Sequence, residues 1–216
     1  MPMGKTLAAA AGAFLLLGGI AATDASAQQA GKTAGDIMIR GRLIGVLPQE
    51  DSTITTIRGE AEVSNEWVPE VDFSYFVTDN IAFELIAATT KHDVKANGTT
   101  LGNVDLGSVG LLPPTLTAQY HFMPKSAFSP YVGAGVTYAI FYNEDKPSSV
   151  VNSIHYDNAW GYALQAGFDY ALGGNWYFNA DVKKIFLNTD VTVNGTIKAD
   201  VDIDPWVVGV GVGYKF

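Results

Sequence analysis

The chain has no cysteine, which removes a disulfide framework and any thiolate metal site. Basic residues are scarce: 13 Lys and Arg stand against 22 Asp and Glu, for a net charge of −9. A domain that grips nucleic acid carries the opposite balance. Histidine numbers only three in 216 residues. His92 and His155 fall in polar stretches, without paired-ligand or nucleophile spacing around them. No catalytic, metal or cofactor site is therefore expected. Long apolar runs are missing after residue 27. A spanning helix needs about 20 apolar residues. If the mature chain lies in a membrane, it must do so as a closed barrel, the other structure that satisfies its backbone inside lipid.

Residues 1–27 read as a secretory signal. Lys5 supplies the positive start, 7–20 is an apolar run, and Ala25-Ser26-Ala27 is a small-x-small cleavage site before Gln28. The run is too short for a membrane span and ends at Asp24. The expected domain is 28–216, with 28–35 as a short, loosely held start. Nothing suggests a second domain.

What is abundant is alternation. In 204–216, Trp206, Val208, Val210, Val212, Tyr214 and Phe216 are bulky, while Gly209, Gly211, Gly213 and Lys215 are small or polar. Strand side chains alternate between faces, so this is one greasy face and one thin, wet face. Similar stretches occur at 37–47, 67–77, 81–90, 115–122, 131–142, 160–170 and 176 to about 190. In the second, Trp67, Val71, Phe73, Tyr75 and Val77 oppose Glu70, Asp72 and Ser74. That makes eight strands. Long polar stretches, expected as loops, fill 49–66, 91–110 and 143–158. Short turns fall at Thr78-Asp79-Asn80, 123–129 and 172–175, and Asn194-Gly195 matches a type I′ hairpin. An even strand count with long and short connections in alternation fits an outer-membrane barrel.

The faces decide which side is outward. An eight-stranded barrel holds only its own side chains or one small ligand, too little room for the aromatics of the bulky face. Those residues must face lipid, and the expected fold is all-β: an eight-stranded antiparallel transmembrane β-barrel. Arg40, Arg42, Glu70, Asp72, Glu84, Ile86, Gln119, His121, Asp169, Asp181, Lys183 and Lys215 then face the lumen. Both signs are present, and Arg40 and Arg42 share parity with Glu70, Asp72 and Glu84 on neighbouring strands, so a paired interior is expected.

Several segments resemble a known family. They include Gly35-Asp36-Ile37-Met38-Ile39-Arg40, the turn Thr78-Asp79-Asn80-Ile81, the block Leu112-Pro113-Pro114-Thr115-Leu116, Pro130-Tyr131-Val132-Gly133-Ala134-Gly135-Val136, Asp204-Pro205-Trp206 and the ending Gly213-Tyr214-Lys215-Phe216. In order, they resemble the OmpW family of outer-membrane proteins, which includes the alkane-uptake porins. The resemblance implies an eight-stranded barrel in a Gram-negative outer membrane. It also implies passage of small hydrophobic solutes through a narrow, largely apolar channel. Lys183 departs from that pattern, since it points inward at mid-barrel. Expected partners are outer-membrane lipid and lipopolysaccharide, small hydrophobic solutes, and the barrel-assembly machinery, for which Phe216 looks like the terminal signal. A monomer is expected.

Pro48, Pro69, Pro113 and Pro114 lie at the loop-side ends of expected strands one, two and four. Proline lacks a backbone donor. Either these residues merely start and stop strands, or they end the hydrogen-bond ladder early and leave a sideways exit for hydrophobic solutes in that wall. A different function is also compatible with the pattern: a closed structural or adhesive barrel whose outer loops bind host or phage partners.

Overall fold

The computed structural model describes residues 31–49, 51–53, 60–99, 102–145, 153–195 and 197–216. The expected signal segment, 1–27, lies outside them. The strands in chain order are β1 (Ile37–Leu47), β2 (Asp51–Thr53), β3 (Glu60–Val63), β4 (Glu66–Phe76), β5 (Ile81–Ala88), β6 (Thr90–Thr99) and β7 (Gly102–Leu112). They continue as β8 (Thr115–His121), β9 (Phe128–Asp145), β10 (Ile154–Tyr156), β11 (Ala159–Gly173), β12 (Trp176–Val193), β13 (Ile197–Asp202) and β14 (Trp206–Lys215).

Eight of them close a ring of antiparallel neighbours. β1 pairs β4, β4 pairs β5, β5 pairs β8, β8 pairs β9, β9 pairs β11, β11 pairs β12, β12 pairs β14, and β14 returns to β1. Closure leaves no edge in this ring and satisfies the backbone inside lipid. Side chains follow the expected parity. Along β4, Glu70, Asp72, Ser74 and Phe76 are buried, while Trp67, Val71, Phe73 and Tyr75 are exposed. The four tryptophans of the chain, Trp67, Trp160, Trp176 and Trp206, all face outward, Trp160 being 71% exposed. From Trp67 to Tyr75 is eight steps, about 27 Å along the strand. A tilt of roughly 40° reduces that to about 21 Å, close to the apolar band of an outer-membrane barrel.

The stretches expected as long loops form a second tier instead. Within 91–110, β6 and β7 make a hairpin that carries β5 and β8 upward, and β3 pairs β6. On the other side β13 prolongs the wall beside β12, with β2 and β10 attached. Polar residues hid this tier because its outer face is wet, while Val94, Val109, Ile154, Tyr156 and Val191 pack its inner face. The eighth expected strand is split between β13 and β14 at Ile203–Pro205, with Asp204 at φ 31°. Asn194 and Gly195 have φ of 53° and 69°. Val193 pairs with Ile197, so the turn is a three-residue loop, one longer than the type I′ hairpin expected from Asn194-Gly195.

Candidate functional site

The lumen has two layers. The lower one, toward the short turns, is polar. Arg40 donates from Nε to Asp72 (2.8 Å), from Nη2 to Glu84 (2.5 Å) and Ser74 (2.8 Å), and from Nη1 to Asp169 (3.2 Å). Arg42 faces Asp181 at 2.6 Å, Glu70 at 2.5 Å and Asp72 at 3.0 Å. Gln165 donates to Asp181 at 2.7 Å and Gln119 to Gln165 at 3.1 Å. The thin face of β14 explains how two arginines fit. A Cβ on Gly211 would lie 2.7 Å from Arg42 Cγ and 2.2 Å from the Gly41 carbonyl, and one on Gly213 would lie 2.6 Å from Arg40 Cγ. The arginine stems lie across the space those side chains would take.

The start of the chain closes this layer from below. Residues 28–35 read from sequence as a loose start, but 31–36 is tied down. Gly35 N donates to the Phe76 carbonyl (2.8 Å), and Lys215 Nζ donates to the Gly31 carbonyl (2.7 Å) and pairs with Asp36 (3.0 Å). Lys32 is fully buried. Its Nζ donates to Asp169 (2.5 Å), Ser129 (3.0 Å) and His121 Nδ1 (3.1 Å) and sits over the rings of Phe76 and Tyr177. An ammonium can only donate, so Nδ1 accepts and Nε2–H is left for Gln119 Oε1 at 3.2 Å. One clue was in the sequence. Glu70, Asp72, Glu84, Asp169 and Asp181 face inward against Arg40, Arg42, Lys183 and Lys215, and the remaining excess of buried carboxylate calls for another cation.

Lys183 marks the boundary. It is buried, 2.9 Å from Asp181 and 3.6 Å from Glu70. Across the sheet it faces Val207, and the next inward residue on β12 is Ile185. Above it the lumen is mainly apolar: Ile44, Val46, Ala139, Ala163, Ile185, Leu187 and Val207 form one cluster, with Val68, Ala88, Leu111 and Phe141 against it, and the buried Thr115 and Thr137 hydroxyls bond to each other at 2.9 Å. Ile86, expected in the lumen, is buried on β5, where it faces Asp72 of β4 in the pairing register. In the tier above, Tyr156 is held above its ordinary pKa by burial, and by nearby Glu144.

The wall around the apolar layer is uneven. The β4–β5 ladder runs from Phe76–Ala82 to Glu70–Ala88 and stops. It resumes where Val63 faces Val94, seven residues on along one chain against six along the other. Pro69 lies in this gap. The β5–β8 ladder stops at Ile86–Thr115 and resumes at Thr90–Leu111, with Pro113 and Pro114 between. Pro48 is placed differently. Beside it Gln49 N bonds the Ile203 carbonyl at 3.1 Å, while Ile185 N bonds the Pro205 carbonyl at 3.1 Å, so the β1–β14–β12 side carries its pairing upward. His92, expected in a solvated loop, is buried on β6 above the gap, bonded to the Ser64 carbonyl and Thr90, both at 2.9 Å. His155 stays exposed in the upper tier beside Glu144 and Asp157. Phe216 is exposed at the bottom rim, and its N–H bonds the Ile37 carbonyl at 2.8 Å.

Comparison with known proteins agrees with this architecture. The OmpW family model matches residues 33–216. An uncharacterized outer-membrane protein y4mB of Sinorhizobium fredii is 44% identical over 87% of this chain and 82% of its own length. Outer membrane protein W of Vibrio cholerae is 36% identical over 84% of this chain and 89% of its own. The crystal structure of the outer membrane protein OprG from Pseudomonas aeruginosa is 35% identical, with a TM-score of 0.80 over 86% of this chain and 98% of that one. The protein is an outer-membrane β-barrel, surrounded by membrane lipid, and the chain belongs to the OmpW family.

Proposed function

We propose that this barrel passes small hydrophobic molecules across the outer membrane and releases them sideways into lipid. The observation that carries the reading is the juxtaposition of three features: an apolar lumen, a packed ionic floor beneath it, and a break in the β4–β5 and β5–β8 ladders beside it. An apolar solute gains by leaving water for the upper lumen. It gains nothing by entering the floor, where it would have to separate buried ion pairs. Lipid beyond the broken wall is the downhill exit. The exit wall is formed by β4, β5 and β8, with Pro69, Pro113 and Pro114 holding the ladder open; Pro48 bounds β1 beside it. Within the same reading the outward belt meets lipid and lipopolysaccharide, and exposed Phe216 serves the assembly machinery.

The test is a disulfide across the gap. Val68 and Thr90 share the lumen face on its two sides, and there is no native cysteine to interfere. In a Val68→Cys/Thr90→Cys barrel, oxidation should stop uptake of a hydrophobic dye by cells, and reductant should restore it. Equal uptake in the oxidised and reduced forms would eliminate the lateral route. No uptake above barrel-free cells in either form would leave the upper tier, as a binding surface, to be the working part.

A further inference from the structure

The ladder gap on the β7 side is bridged from outside by a side chain. Thr89 is the residue between β5 and β6, opposite the Pro113–Pro114 interruption. Its hydroxyl is hydrogen-bonded to the hydroxyl of Tyr142. Tyr142 belongs to β9, two strands away, and faces Gly110 of β7 in the pairing register. To reach Thr89 its ring lies flat across Gly110: a Cβ there would stand 2.6 Å from both Cε2 and Cζ of the ring. Only glycine leaves room for that path. Thr89 and Tyr142 are both exposed, so the strap lies on the outer face of the wall.

The other edge of the gap is built differently. Trp67 of β4 lies over Gly45 of β1, 3.0 Å from where a Cβ would be. An aromatic ring laid on a bare glycine smooths and supports a strand. Trp67 covers its own neighbour, within a ladder that holds from Ile37–Tyr75 to Val46–Glu66. Tyr142 instead reaches past its neighbour to the interruption, and ends there in a polar bond. One edge is therefore held by an unbroken backbone ladder, while at the other the ladder is interrupted between Ile86–Thr115 and Thr90–Leu111 and a side-chain bond spans the interruption.

We infer that Tyr142 is the latch of the lateral window: breaking its bond to Thr89 and lifting the ring from Gly110 frees the β5–β6 junction and lets solute pass. The inference rests on the lateral route proposed above. A hydroxyl–hydroxyl bond is a weak lock, and its loss raises the open fraction by roughly two- to tenfold. A latch of that strength slows passage without closing it.

Three substitutions reach the latch independently. Tyr142→Phe removes one hydroxyl and keeps the ring, Thr89→Val removes the other, and Gly110→Ala displaces the ring while sparing both hydroxyls. At matched levels of folded barrel, each should raise cellular uptake of N-phenyl-1-naphthylamine by roughly two- to tenfold. The Tyr142→Phe/Thr89→Val double variant should gain no more than either single one, since both break one bond. Amide exchange over residues 86–92, measured in micelles, should quicken in the same variants. Unchanged or slower uptake in the presence of wild-type uptake, a doubled gain in the double variant, or unchanged exchange would overturn the latch. Should wild-type cells take up no more dye than barrel-free cells, the transport reading fails by itself, and exchange still decides the latch.

Discussion

The lower and upper halves of the lumen are made by the same strands and behave as different materials. On β1 the inward residues are Met38, Arg40 and Arg42, then Ile44 and Val46; on β12 they are Asn179, Asp181 and Lys183, then Ile185 and Leu187. The change takes one inward step on each strand. Below it, carboxylates and guanidinium groups hold one another at 2.5–3.2 Å in fixed directions. Above it, apart from the Thr115–Thr137 hydroxyl pair, contacts are apolar and non-directional, so an apolar solute can replace them at little cost. Burial is common to both layers. What separates them is whether a guest could take over the contacts it displaces, which an alkane can do for Ile185 and cannot do for Asp181.

The strongest way to break this contrast is to remove a charge from the floor. Arg40→Met would leave Asp72 and Glu84 short of a partner and Asp169 with Lys32 and the Asn179 amide. Stranding buried carboxylates costs about 3–5 kcal/mol. The expected result is a marked drop in heat-modifiable folded barrel and a lower urea midpoint in micelles. A midpoint equal to that of wild type would mean that water reaches the floor and solvates those groups, and the floor would no longer be a seal.

A milder substitution tests where the boundary lies. Lys183→Met extends the apolar layer downward by one position, and both anionic neighbours of Lys183 keep Arg42, at 2.5 and 2.6 Å. Loss of stability should be smaller than for Arg40→Met, about 1–3 kcal/mol, the usual cost of a lost bond to a charged group. Dye uptake should stay within roughly twofold of wild type, the scale of an indirect effect below one bond, because the proposed exit lies beside the layer above Lys183. A large rise in uptake would place Lys183 on the route and favour passage along the barrel axis.

Strand parity made the ring, its outward face and the lumen residues legible in the sequence, because lipid on one side and a crowded lumen on the other force strict alternation. Three features were hidden. The upper tier looked like loops, since strands wetted on one face are rich in Thr, Asp and Asn, as in β6 and β7. Lys32 precedes the first alternating residue, and its place depends on the chain folding back beneath the barrel. The latch depends on a diagonal reach from β9 across β7, and sequence spacing between Thr89, Gly110 and Tyr142 carries no trace of it. The prolines were visible, but register separates Pro48, beside continuous pairing, from Pro69, Pro113 and Pro114, beside the gaps.

The smallest expected effect carries the comparison outside the barrel. Asp79 in the bottom turn pairs with Lys125 at 2.9 Å and accepts a bond from Ala34 N at 3.0 Å, with both charged side chains about half exposed. The chemistry matches that of Asp169 with Lys32, but water screens it. Lys125, and then the Ala34 amide, hold the Asp79 carboxyl below its ordinary value. A depressed folded pKa means that the contribution is present above the unfolded value, about 4, and fades as pH falls through the folded one. Asp79→Asn should therefore lower the urea midpoint slightly at neutral pH, by far less than Arg40→Met, and the two curves should converge in strong acid. A gap that persisted in acid would trace the effect to the turn's backbone bonds. A neutral-pH gap as large as that of Arg40→Met would mean that burial is not what makes the floor's ion pairs costly to break.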